Sequence, residues 1–66
     1  MTATDLERVN RSIARTRGHI DRQRQLIERL ENGGHSADVP RAEALLKTLE
    51  ESLRALEKSR DTRSEE

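Results

Sequence analysis

The chain has 66 residues, 13 Lys and Arg against 13 Asp and Glu, 39 % charged side chains, and no Cys, Phe, Tyr or Trp. That length supports one small domain, and the missing cysteines exclude a disulfide scaffold and a Cys-based zinc site. No apolar run approaches the ~20 residues of a membrane span, and the first 25 residues hold no apolar core of a secretory signal, so a cytoplasmic protein is expected.

The first helix is expected over about residues 4–32. Its apolar positions follow a seven-residue register in which Leu6, Ile13, Ile20 and Ile27 take position a and Val9, Thr16, Gln23 and Leu30 take position d. Such a register marks a long amphipathic helix of coiled-coil type. Thr4 followed by Glu7 is a capping-box signature for its start, and Asp5 and Glu7 suit the positive end of the helix dipole. Asn32-Gly33-Gly34-His35-Ser36 ends it, with one glycine in the left-handed cap conformation, and the loop takes about residues 33–38. Gly18, at outward-facing f, costs up to about 1 kcal/mol against alanine.

The second helix is expected over about residues 39–60. Ser36 or Asp38 is its N-cap and Pro40 falls in its first turn, where proline fits. Val39, Leu46 and Leu53 take position a, and Ala42, Leu49 and Leu56 take d. Residues 61–66 are polar and read as a frayed tail.

Two helices and a short loop predict an all-α, two-helix antiparallel hairpin, coiled-coil-like, able to dimerise into a four-helix bundle. If facing residue numbers add to about 72–74, one register satisfies every layer. The seam then comprises Ile13, Thr16, Ile20, Gln23, Ile27 and Leu30 on one helix, and Ala42, Leu46, Leu49, Leu53 and Leu56 on the other. On the e flank Arg17 meets Glu57 and Arg24 meets Glu50. On the g flank Leu26 meets Leu45, His19 meets Ser52 and Ser12 meets Ser59. Agreement of seam and flanks in one register is what a foldable sequence displays. Glu31 near Glu43 is the like-charge exception. Thr16 and Gln23 interrupt the apolar d series, and polar seam residues lower stability while fixing register or oligomer state; Gln23 can equally lie at the seam edge with its amide in water.

The g flank continues on the second helix through its c positions. Leu26, Leu45, Thr48, Ser52, Ala55 and Ser59 form an uncharged strip in a highly charged chain, and small side chains let another helix approach closely. This strip is the expected interaction face, for a second copy (a homo-oligomer, most simply a dimer) or another helical protein. Leu6, Val9 and Ile13, expected opposite Arg60 and Arg63, point the same way, since they would lie uncovered at the open end of the hairpin.

Arg8, Arg15, Arg22 and Arg29 recur every seven residues at position c of the first helix. An arginine stripe can bind phosphates, so a nucleic-acid-associated regulator is the alternative function. No aromatic side chain is available to stack on bases, which makes nucleic acid the weaker expectation. The two histidines, His19 and His35, are on different elements and show no metal-ligand spacing. Ser12, Ser36, Ser52 and Ser59 lack a nucleophile-elbow context, and a pair of helices offers no enclosed pocket for His19 with Asp21 or Ser52 to work in. A non-enzymatic interaction module is expected, without cofactor, metal, membrane or small-molecule substrate.

The run from Gly18 to Leu30 contains His19-Ile20, Gln23 and Leu26-Ile27 in a His-Ile-x-x-Gln-x-x-Leu-Ile pattern. Gly34-His35 follows, and then Ala42, Leu45 and Leu46 in an Ala-x-x-Leu-Leu pattern. In these motifs, over residues 18–60, the chain resembles short helical-hairpin proteins of rhizobia and other alphaproteobacteria. It departs from them after Gly34-His35, where relatives carry an Asp-Thr cap and this chain has Ser36-Ala37-Asp38-Val39-Pro40. The resemblance implies a bacterial, cytoplasmic, non-enzymatic hairpin and transfers no activity.

Overall fold

A computed structural model describes residues 3–64. Helix α1 runs Ala3–Asn32 and helix α2 runs Val39–Ser64, joined through a single 3-10 turn at Ser36–Asp38. The helices pack antiparallel along one long seam, giving a rod whose Cα envelope measures 49 × 14 × 11 Å. A 30-residue helix is about 45 Å long, so α1 sets the length of the rod. Among the described residues there is no strand, and no helix is long and apolar enough to cross a membrane.

The glycine pair closes α1 by a defined geometry. The Gly33 N–H donates to the Arg29 carbonyl at 2.8 Å, the last α-helical bond, and the His35 N–H reaches back to the Leu30 carbonyl at 2.9 Å. That six-to-one closure is the Schellman arrangement, which needs a left-handed residue just before the closing N–H. Gly34, at φ +80°, is that residue. The Asp38 N–H then bonds the His35 carbonyl at 3.0 Å, and the 3-10 turn feeds directly into α2.

Two boundary expectations change. Thr4 lies inside the first turn of α1, which begins at Ala3, and not at its cap. Of the two N-cap candidates for α2, Asp38 is the residue that immediately precedes Val39, while Ser36 opens the 3-10 turn, whose own N-cap, His35, makes no side-chain capping bond. The frayed tail expected from residue 61 is helical through Ser64, and residues 65–66 lie outside the described residues. The polar stretch after Arg60 contains no Gly or Pro to stop a helix, and the Thr62 hydroxyl caps its own turn by donating to the Lys58 carbonyl at 2.9 Å.

Burial at the open end overturns the exposed-end expectation. Val9 and Ile13 are buried, Ile13 to 2 % exposure, and Leu6 is half-buried. Ser59 and Arg60 of α2 are half-buried at that end, as expected where a long arginine stem lies along apolar surface and keeps its charge in water. The open end of the hairpin therefore gives no reason for self-association.

The seam holds the core. Ile13, Ile20, Gln23, Ile27 and Ala42 are buried, and Thr16, Leu30, Leu46, Leu49, Leu53 and Leu56 are half-buried. Half-burial of the leucines is inherent in a two-layer rod, where each side chain has a partner on one side and solvent on another. Gln23 is in the seam and not at its edge: its Nε2 donates to the Ala42 carbonyl at 2.9 Å. A helix carbonyl has a second lone pair beyond the one its own ladder uses, and the small Ala42 side chain leaves the amide room to reach it. Gln23→Leu gives up this bond, worth about 0.5–1.5 kcal/mol net, and buries an aliphatic side chain worth about 1.5–3 kcal/mol. At the middle of those ranges the expected result is a melting temperature higher by about 5–10 °C, with a broader distribution of assemblies because a register-marking bond is gone. Thermal denaturation followed by circular dichroism checks this, and a melting temperature lower by several degrees would contradict it.

Candidate interaction flank

The two flanks of the rod differ in chemistry. On the e flank Arg17 Nη2 lies 3.1 Å from Glu57 Oε2, and Arg24 Nη2 lies 3.7 Å from Glu50 Oε2. These are the two pairs the register requires. Both arginines are more than half exposed, so each bridge contributes only about 0.2–1 kcal/mol. Their role is selection: slipping the helices by one turn would break both. The groove between them, bounded also by Ile20, Asp21, Leu53 and Arg54, is charged on both walls.

The opposite flank carries the only large apolar side chains that stay open to solvent among the described residues, Leu26 at 42 % and Leu45 at 51 % exposure. They lie on either side of an open groove of about 350 Å³, lined also by Gln23, Leu30, Asp38, Arg41 and Ala42. The groove exists because the facing seam residues here are unequal. Ala42 fills little of the layer it shares with Leu30, and Gln23 turns its amide to the backbone instead of outward. Further down α2, Thr48, Ser52 and Ala55 are exposed and Ser59 is half-buried. The Thr48 hydroxyl donates to the Ala44 carbonyl at 3.2 Å. Threonines bonded back to their own helix present a methyl group outward, so Thr48 and Thr62 are less polar towards a neighbour than their composition suggests.

Arg8, Arg15, Arg22 and Arg29 are all exposed. At position c of α1 they edge this same flank, beside Ser12, His19 and Leu26. The flank is thus uncharged along α2 from Leu45 to Ala55 and bordered by arginine along α1. That asymmetry was readable from the helical repeat, in which c lies next to g, but only by considering the stripe and the strip together. Arg41, which closes the groove at the loop end, is a further member of the flank outside the expected set.

The structure does not bring the remaining polar candidates into a site. His19 and Asp21 sit on opposite flanks of the seam, with Asp21 on the groove beside Arg17 and Arg24. His19, His35, Ser36 and Ser52 are exposed and Ser12 is half-buried. Among the described residues no three His, Cys, Asp or Glu side chains converge. Comparison of the chain with protein-family models, with curated proteins and with solved structures finds no match.

Proposed function

We propose that this chain is a non-enzymatic helical module that works by protein–protein contact, most simply with a second copy of itself, in the cytoplasm. The observation that carries the reading is the exposed Leu26–Leu45 pair on one flank, set against a charged, ion-paired flank on the other. A solvated rod has no need of two adjacent open leucines, and covering them gains about 25 cal/mol for each Å² of apolar area removed from water. The small domain also has limited core of its own, which association supplements.

Sedimentation equilibrium of the wild-type chain and of Leu26→Glu and Leu45→Glu tests it. The wild type is expected at about twice the 7.6 kDa chain mass, and both variants at the monomer mass with helix content retained, since neither leucine is buried within the hairpin. A wild type that stays monomeric at millimolar concentration, or variants that keep the wild-type mass, would overturn the proposal.

A second reading rests on Arg8, Arg15, Arg22 and Arg29, four exposed arginines at seven-residue intervals along one helix edge, with no ion pair among the described residues. Such an edge suits a phosphate backbone. Retarded migration of a DNA or RNA duplex by micromolar protein at low salt would favour it, and unchanged migration would remove it.

A further inference from the structure

We infer that two copies associate through the leucine flank about a two-fold axis parallel to the rod. In that arrangement α1 of each copy lies over α2 of the other, and both loops are at the same end. The inference rests on the self-association proposed above and adds the geometry of the partner.

Three features of the flank lead to it. The first is the position of the leucines. Leu26 and Leu45 stand at one level, close to the loop end of a rod 49 Å long. A two-fold axis along the rod leaves every residue at its own height. Leu26 then meets Leu45 of the second copy, Leu45 meets Leu26 of the second copy, and the two grooves close over one four-leucine layer. An axis across the middle of the rod reverses the second copy and sets Leu26 near its Arg8 and Ser12. The leucines could meet head-to-tail only by sliding the rods until little more than the loop ends overlapped.

The second feature is the unequal pair of edges. With the axis along the rod, Arg8, Arg15 and Arg22 run beside Thr62, Ala55 and Thr48 of the second copy. Long aliphatic stems then cover small side chains while the guanidinium groups stay in water. The hydroxyls of Thr48 and Thr62 are already bonded to their own helix and need nothing from the partner. Arg29 beside Arg41 is the one like-charge contact on each edge. With the axis across the rod, α1 lies over α1 of the second copy and the four-arginine stripe faces itself along its whole length.

The third feature is size. A face 49 Å long and 14 Å wide covers roughly 700 Å² per copy, close to the ~800 Å² per partner of stable interfaces. Full-length overlap is therefore needed, and only the same-end arrangement combines it with the leucine layer. The result is a four-helix bundle with antiparallel neighbours throughout.

The chain has no cysteine, so Ser36→Cys carries a single spin label at the loop, and Glu31→Cys, also exposed and at the loop end, serves as a second site. Pulsed electron–electron resonance reads the distance between copies, on samples whose helix content and mass are measured in parallel. Helices in a bundle lie about 8–10 Å apart, so both labels are expected to report distances below about 35 Å. A dimer whose Ser36 labels stand near the 49 Å length of the rod would overturn this geometry and leave self-association intact. A chain that remains monomeric would overturn both, leaving the flank to a partner of different sequence.

Discussion

Ile20→Ala is expected to remove about a third or more of the folding stability of the chain. Ile20 is 5 % exposed in the middle of the seam, where Leu53 faces it and the Arg17–Glu57 and Arg24–Glu50 bridges lie to either side. Truncating a buried isoleucine to alanine costs about 2–5 kcal/mol, because the lost transfer energy is joined by the cavity left behind. A domain of this length has roughly 3–10 kcal/mol in total. A two-layer rod has no third layer to collapse into the gap, so the loss falls towards the upper half of the range. The same change at Leu6, half-buried near the end of α1, should cost far less because the first turn can fray alone. Urea denaturation followed at 222 nm checks the pair, at fixed chain concentration because association adds to apparent stability. An Ile20→Ala midpoint within about 0.5 M of wild type, with a urea slope near 1 kcal/mol/M, would show that Ile20 is not central to the core.

The second large effect is at Gly34, and its sign depends on chirality. The residue holds φ +80°, and a Cβ built there meets nothing within 4 Å, so substitution probes the backbone alone. An L residue in the left-handed region costs about 1–2 kcal/mol, and Gly34→Ala should lower the melting temperature by about 4–15 °C. D-alanine at the same position prefers that region and restricts the unfolded chain, and it should stabilise by about 0.4–1 kcal/mol. A 66-residue chain is within reach of chemical synthesis by ligation, so both can be made. If the two alanines shift the melting temperature equally, the left-handed cap is not what ends α1. Gly33 is a poorer probe: its Cβ would stand 3.0 Å from the Arg29 carbonyl, which mixes steric with conformational effects.

What the sequence made legible is what depends on periodicity. The heptad positions of Ile13, Ile20, Ile27, Leu46 and Leu53 fix which faces meet, and once those are set the e-flank charges leave one register, the one in which Arg17 and Arg24 reach Glu57 and Glu50. The end of α2 is not legible because polarity alone does not stop a helix. Residues 61–64 lack a breaker, and the helix continues through them. Gln23 was undecidable from spacing alone, since an amide at a d position goes to water or to the backbone according to the space beside it, and Ala42 supplies that space. The interaction flank was half legible. The uncharged strip on α2 follows from its g and c positions, whereas the groove between Leu26 and Leu45 depends on how Gln23 and Ala42 fill one layer. No comparable geometric feature accompanies the arginine stripe, whose members are spread along an open edge.

The leucine flank as the place where this chain meets another copy is tested most directly by amide chemical shifts recorded across a concentration series of the uniformly labelled wild type. Concentration-dependent changes are expected at Leu26, Leu45, Thr48, Ser52 and Ala55, with Arg17, Arg24, Glu50 and Glu57 on the opposite flank unchanged. Changes concentrated on the ion-paired flank, or none from micromolar to millimolar chain, would contradict it.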